Sequence, residues 1–166
     1  MRRLIPSIAV AMLGLGMARG AAAAGTSASH TVTIQVRPVN AVHVNGNSTI
    51  RLEWTGTRES LEGSDRSATL SWVTNASSSS PKKITAHVAE ALPEGVTLKV
   101  RADVGGKATH GASAAAQELS TNPVEVVSGI YAEVVREAPL RYEASVAGGA
   151  DLRNDVVRTV TYTITD

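Results

Sequence analysis

The feature that most constrains the fold is an alternation of apolar and polar residues that recurs in short segments along the chain. In residues 30–37, Val32, Ile34 and Val36 share one face and polar side chains share the other. A period of two residues is that of a β-strand with one buried face. Further segments with this period lie at residues 42–44, 50–54, 68–72, 84–88, 96–102, 124–126, 130–134, 140–146 and 156–165.

Turn residues separate these segments, and no stretch has the pattern of an amphipathic helix. The chain is also rich in the β-branched residues Val, Ile and Thr, which suit a pleated and half-buried surface. About nine short strands with turns between them predict an all-β fold. We expect an antiparallel β-sandwich of immunoglobulin-like type, and we favour it over a soluble barrel or a membrane barrel. The five aromatic residues are too few for the aromatic girdles of a membrane barrel.

The turn signals also predict local connections. Asn45 and Gly46 both tolerate positive φ, so we expect a hairpin that pairs residues 42–44 with residues 50–54. The segments 56–66, 75–83 and 105–116 have no regular period and predict loops. We also expect Ile130, Ala132 and Val134 to face inward on one strand, and Pro139 to interrupt the chain between that strand and the strand at 140–146. The segment 105–116 is rich in small residues but does not predict a helix, because a helix of that length is unstable alone.

The N-terminal residues have the pattern of a secretory signal peptide. Arg2 and Arg3 precede an apolar run at 4–17, and a small-residue tract at 21–25 offers cleavage sites. The apolar run is shorter than the roughly 20 residues that span a bilayer. The sequence therefore predicts a signal peptide at 1–24, read by the general secretory route rather than the twin-arginine route, and a single domain at 25–166.

Charge and cysteine content exclude several classes of protein. Without the three arginines of the signal, 13 basic residues face 15 acidic ones, so the exported chain has no positive surplus for nucleic acid or anionic lipid. No cysteine is present, which excludes a disulfide scaffold, a thiolate metal site and a lipid-anchored cysteine. We expect no nucleic-acid partner, and no stable membrane insertion once the signal is removed.

The residues that could carry chemistry have simpler structural interpretations. His30, His43, His87 and His110 do not have the spacing of a metal site or a metalloprotease, and His43 and His87 fall on the polar faces of their strands. Trp54 and Trp72 fall on apolar faces, which favours core packing over a sugar-binding platform. We therefore expect no catalytic residues, no cofactor and no enzymatic activity.

One loop is rich in oxygen ligands. Gly149, Asp151, Asn154 and Asp155 lie close together, but their spacing does not match that of a calcium-binding loop. The sequence favours an ordinary turn here and predicts no metal site.

The first and last strands suggest a mode of assembly, because both alternate strictly and lie at the chain ends. An N-terminal strand of this kind can complete the sheet of another subunit. Val32, Ile34 and Val36 are the candidate donor side chains, and Val160, Tyr162 and Ile164 are candidates for the accepting edge. In the alternative interpretation, residues 30–37 form an ordinary edge strand of their own sandwich.

Three segments together resemble a group of short secreted bacterial proteins with a pilin-like or immunoglobulin-like sandwich. The segments are Thr31-Val32-Thr33-Ile34 with Val39-Asn40-Ala41-Val42 and Gly46, Lys82 to Ala86 with Leu92 to Leu98, and Thr159 to Asp166. The chain is more distantly similar to chaperone-usher pilins and spore-coat-U-type subunits, although it lacks their cysteines. The resemblance implies a fold and transfers no catalytic residue.

These observations favour a secreted, non-enzymatic structural or surface module. We expect it to act in the periplasm, on the cell surface or outside the cell, with another copy of itself or another envelope protein as its partner. The alternative function is binding of a small ligand or glycan by the three long loops, because loops on a rigid scaffold commonly carry binding residues.

Overall fold

The computed structural model describes residues 30–51, 53–54, 60–147 and 155–166. Val36–Asp166 forms one compact unit, which contains every strand of the described chain, and residues up to Gln35 are grouped apart from it. The predicted signal peptide at 1–24 lies outside the described residues.

The described residues confirm the all-β prediction, with eleven strands and antiparallel pairing throughout. The strands are β1 (Asn40–Asn45), β2 (Glu53–Trp54), β3 (Ser60–Asp65), β4 (Thr69–Thr74), β5 (Lys82–Val88), β6 (Val96–Ala102), β7 (Ala112–Ser113), β8 (Gln117–Glu118), β9 (Val124–Ile130), β10 (Glu133–Ala147) and β11 (Val160–Thr165).

The strands form two sheets. The first has the order β1-β4-β10-β3-β2, and β6 pairs with β10 and carries β8. The second has the order β11-β5-β9-β7. Side chains of both sheets meet in one apolar core, so each sheet buries one face against the other. The fully buried side chains with the largest volumes are Leu70, Ile84, Ile130, Leu140, Val88, Val100, Val126, Val127 and Val135.

The first sheet is built on long, bent ribbons. Residues 60–74 pair with β10 along almost its whole length, from Ser60 opposite Ala147 to Thr74 opposite Glu133. On their other side, β4 pairs with β1 and β3 pairs with β2. Gly63 lies so close to this neighbouring chain that a Cβ there would collide with the Arg51 carbonyl oxygen. The sheet therefore continues through segments that are not regular strand.

This arrangement corrects the predicted hairpin at Asn45-Gly46. Gly46 has a φ of +83°, as its sequence predicted, but it bends the chain instead of reversing it. Strand β1 pairs with β4, and the hydroxyl of Ser67 donates to the Asn47 carbonyl (2.8 Å) at the bend. The predicted loop at 56–66 is also wrong in its second half, because β3 begins at Ser60 and pairs with β10.

The alternation in the central segments is confirmed. Strands β4 and β5 bury every second side chain as the sequence predicted, and β6 does so in its second half, at Val100 and Ala102. Trp72 is 3% exposed and packs in the core, which confirms its structural interpretation. The side chain of Trp54 lies outside what the structure describes.

The faces of residues 130–135 differ from the prediction. Ile130 is buried as expected, but Ala132 has a φ of +43°, and this reverses which residues face inward. Glu133 and Val135 are buried and Val134 is exposed. A positive φ at alanine is uncommon and gives no sequence signal.

Pro139 does not interrupt the following strand. It lies inside β10 opposite Thr69, and its carbonyl accepts a hydrogen bond from the Asp103 amide (2.8 Å). A bulge between Val135 and Ala138 precedes it, where Glu137 has a φ of +56°. The bulge re-aims the chain so that proline fits within the strand.

Candidate assembly edge

Residues 30–37, hereafter the arm, form no strand in the structure, which differs from the sequence prediction. Val32, Ile34 and Val36 are 70%, 82% and 78% exposed. The arm has no ladder with any strand that the structure describes. A strand needs a neighbour to satisfy its backbone, and β4, the neighbour of β1, ends at Thr74.

Strand β11 lies at the edge of the second sheet. Within the described chain its ladder partner is β5 alone. The amide of Ala89 donates to the Thr159 carbonyl (3.0 Å), and residues 159 and 89 continue the register of the ladder. Because hydrogen-bonded and non-hydrogen-bonded pairs alternate in an antiparallel ladder, Thr161 and Thr163 bond to β5. The backbone groups of Val160, Tyr162 and Ile164 therefore point away from β5, and we call them the open edge.

The side chains of the open edge face the core. Val160, Tyr162 and Ile164 are half-buried and pack against it, whereas Thr161, Thr163 and Thr165 are exposed. This confirms the predicted faces of the last strand. The same three residues thus combine an inward apolar side chain with an outward backbone donor and acceptor.

Strand β1 lies beside β11 at the edge of the first sheet. The amide of Asn75 donates to the Val39 carbonyl (3.1 Å) in register with the β1–β4 ladder, so the backbone of Val42 and Val44 points outward by the same alternation. Their side chains are half-buried against the core. The two neighbouring edges therefore carry incompletely covered apolar side chains.

A pair of tyrosines ties the two sheets together behind the open edge. The hydroxyls of Tyr142 on β10 and Tyr162 on β11 are 2.7 Å apart and share a hydrogen bond. Burial raises the pKa of both phenols above the ordinary value of 10.0. Both hydroxyls therefore stay protonated at physiological pH.

A buried carboxylate that sequence reasoning missed lies under the loop at 105–111. One oxygen of Glu133 accepts from the indole nitrogen of Trp72 (3.1 Å). The other accepts from the backbone amides of Thr109 (3.1 Å) and His110 (2.9 Å). Three donors on a single carboxylate fasten the loop to the sheet. The available signal was Trp72 itself, since a buried indole N–H needs an acceptor.

Two of the predicted end loops lie at the same end of β10. The amide of Ala132 donates to the Ala76 carbonyl (3.1 Å), so the loop at 75–81 and the loop held by Glu133 lie at the same end of β10. Ser60, the first residue of β3, lies opposite Ala147 at the other end of β10. The hypothesis that the end loops bind a ligand stays a prediction.

An aromatic stack marks the end with two loops. The rings of His110 and Tyr131 stack with centroids 3.8 Å apart, and Nδ1 of His110 is buried with no hydrogen-bond partner. Of the other histidines, His30 and His43 are exposed and His87 is half-buried.

Neither a metal-binding cluster nor a helix able to cross a membrane is found among the residues that the structure describes. Of the oxygen-rich loop, Gly149, Asp151 and Asn154 lie outside those residues, and Asp155 is exposed. A shallow cleft lies on the outer face of β6 and β10, where Arg141 pairs with Glu143 (2.7 Å).

Comparison of the chain with protein-family models, with curated proteins and with solved structures gives no match. The resemblance to pilin-like secreted proteins therefore stays a prediction, and the case for function depends on the geometry of the arm and the open edge.

Proposed function

We propose that the protein is a secreted, non-enzymatic structural or surface module of the bacterial envelope that assembles by β-strand addition. The arm of one copy adds to the open edge of β11 in the next copy. The observation that carries this proposal is that the chain has both halves of a strand pair, an alternating segment and a strand edge that are unpaired among the residues that the structure describes. Exposed edges of this kind otherwise promote aggregation.

The spacing of the two partners supports this pairing. Val32, Ile34 and Val36 recur every second residue, and so do Val160, Tyr162 and Ile164. An added strand with this period places three apolar side chains over the same side of the core and three polar ones toward water. Main-chain hydrogen bonds supply affinity, and the alternating side chains supply register.

The arrangement predicts an open series of subunits. The arm and the open edge are different surfaces, so each contact is head-to-tail and leaves one free arm and one free edge. Such contacts continue until a closing geometry or a different partner ends the series. Another envelope protein with an equivalent edge would serve as that partner.

The test is a charge on the apolar face of the arm. We expect Ile34→Asp to abolish the higher assemblies while leaving a folded monomer, because Ile34 is exposed in the isolated chain and buried only in the added strand. Size-exclusion chromatography with light scattering measures assembly, and circular dichroism measures folding. Thr33→Asp, which places the same charge on the opposite face, is the matched control and should still assemble.

Two results would contradict the proposal. An Ile34→Asp variant that assembles as the unchanged protein does would show that the apolar face of the arm is not used. A variant that loses its fold would show that Ile34 belongs to the core of its own subunit.

A second candidate function is ligand or glycan binding at the end of β10 that carries two loops. The stacked rings of His110 and Tyr131 favour it, since an aromatic face is a common platform for a sugar ring. Glycan binding that is lost in Tyr131→Ala and kept in Ile34→Asp would support this candidate. A blank glycan array at high protein concentration would count against it.

A further inference from the structure

Asn75 holds the chain at the point where the arm meets β1. Its amide nitrogen Nδ2 donates to the Arg37 carbonyl (2.7 Å), and its Oδ1 accepts from the Val39 amide (2.7 Å). Its own backbone amide donates to the Val39 carbonyl (3.1 Å). Three hydrogen bonds from one residue thus fix the backbone on both sides of Pro38.

The side chain of Asn75 replaces a rung that the sheet cannot make. Strand β4 ends at Thr74, one residue before Asn75, so the regular ladder with β1 ends here, and Oδ1 of Asn75 accepts from the Val39 amide in place of a backbone carbonyl. The side-chain amide extends the pairing by two residues, to Arg37. This support therefore reaches Arg37, the last residue of the arm.

Asn75 is itself held in place by its neighbour. The hydroxyl of Thr74 donates to Oδ1 of Asn40 (2.6 Å) and accepts from the amide of Ala76 (3.0 Å). These contacts fix the turn that carries Asn75, so the asparagine meets the Arg37 carbonyl without further ordering of the loop.

We propose that Asn75 is a positioning residue for assembly, which fixes the exit of the arm from β1 and so presents it to the open edge of a second copy. This inference rests on the proposed function and names a residue that acts on the donor side of the contact. A segment whose base is fixed has less conformational entropy to lose on binding, and preorganisation of this kind strengthens association. Asn75 is therefore needed in the chain that gives the arm and not in the chain that receives it.

The experiment separates these two roles with full-length chains purified from the bacterial envelope. A fluorescent tracer of the unchanged protein, kept at trace concentration, is titrated with unlabelled Ile34→Asp protein. The titrant offers an open edge but no competent arm, so binding reports the tracer's arm on the titrant's edge. Asn75→Ala is then placed in the tracer in one titration and in the titrant in another.

We expect Asn75→Ala to weaken binding about tenfold when it is in the tracer, which corresponds to the loss of one or two hydrogen bonds. In the titrant it should leave binding unchanged. Asn75→Asp, which keeps the acceptor for Val39 and loses the donor to Arg37, should give an intermediate loss in the tracer. Asn122→Ala, at an exposed asparagine in the loop before β9, is the control for a change of the same size.

The outcomes distinguish this inference from the proposed function. Equal loss in both positions would mean that Asn75 only stabilises the fold, and no loss in either would mean that it does not position the arm. Each of these results overturns the inference and leaves strand addition intact. A different result would overturn the proposed function itself. In that result the unchanged tracer binds neither the Ile34→Asp titrant nor a titrant of unchanged protein.

Discussion

Single buried polar groups at the residue scale determine how the loops and sheets are held. Glu133 shows this most clearly, because its carboxylate is 8% exposed and satisfies donors from Trp72, Thr109 and His110. A buried donor that loses its acceptor costs about 1–3 kcal/mol. The carboxylate therefore fastens the loop at 105–111 to the sheet.

We expect Glu133→Ala to lower the free energy of unfolding by about 3 kcal/mol, because it leaves the Trp72 indole and two loop amides without an acceptor. Urea unfolding followed by tryptophan fluorescence measures the change. Glu125→Ala, at an exposed position on β9, should change stability by less than about 0.5 kcal/mol. Equal stability of the two variants would show that the carboxylate contributes little.

The tyrosine pair predicts an alkaline loss of stability. Burial raises the pKa of Tyr142 and Tyr162 in the folded protein, so above about pH 10 the unfolded chain releases protons that the folded chain keeps. Stability from these groups is complete below that pH and declines as the pH rises above it. We expect urea midpoints measured from pH 8 to pH 11 to fall at the alkaline end.

Phenylalanine variants give the control for this prediction. The double variant Tyr142→Phe with Tyr162→Phe should lose much of the alkaline decline. Its loss of unfolding free energy should also be smaller than the summed losses of the two single variants, because neither hydroxyl is left unpaired. Tyr131→Phe, which leaves the pair intact, should keep the decline. An unaltered decline in the double variant would contradict this explanation.

Within strand β11, neighbouring residues differ in the direction of their backbone N–H groups. The N–H of Val160 points outward and Val160 begins the strand, which is where proline is tolerated. The N–H of Thr161 points to β5 at His87. The two positions therefore separate the open edge from the internal ladder.

We expect Val160→Pro to leave the monomer folded and to weaken assembly at least tenfold, because it removes an outward donor and adds bulk at the open edge. Thr161→Pro should lower the free energy of unfolding by about 1–3 kcal/mol, since it removes a ladder hydrogen bond and leaves a carbonyl of β5 without a donor. Urea unfolding and light scattering on both variants measure the two effects. Equal destabilisation by both would contradict the assigned alternation.

The sequence predicts elements well where a strand has one face in the core. The faces of β4, β5, β6 and β11 were all predicted from the alternation. Pairing partners were not, because Gly46 permits either a reversal or a bend, and contacts of Ser67 across the ribbon select the bend. The inward turn of Glu133 also escaped prediction, since it follows from a positive φ at Ala132.

The candidate site divides in the same way. The apolar faces of the arm and of β11 follow from the two-residue period, so both halves of the proposed contact could be named from the sequence. That the arm lacks a ladder depends on where β4 ends, and the role of Asn75 depends on an amide bridging Pro38. Both are tertiary facts that no local pattern records.

For the whole molecule, the open edge and the arm together support the proposal that donated strands join the subunits. Two sheets share one core, yet the neighbouring edges of β1 and β11 leave their inward side chains half-buried. Completion by a second copy would cover them. We therefore expect the isolated monomer to be folded, with the inward side chains of β1 and β11 incompletely covered.

The most direct test is size-exclusion chromatography with light scattering on the unchanged protein, purified natively from an expressing bacterial envelope. We expect a series of species at multiples of the subunit mass that survives mild detergent. A single species at the monomer mass across a wide range of protein concentration would contradict it.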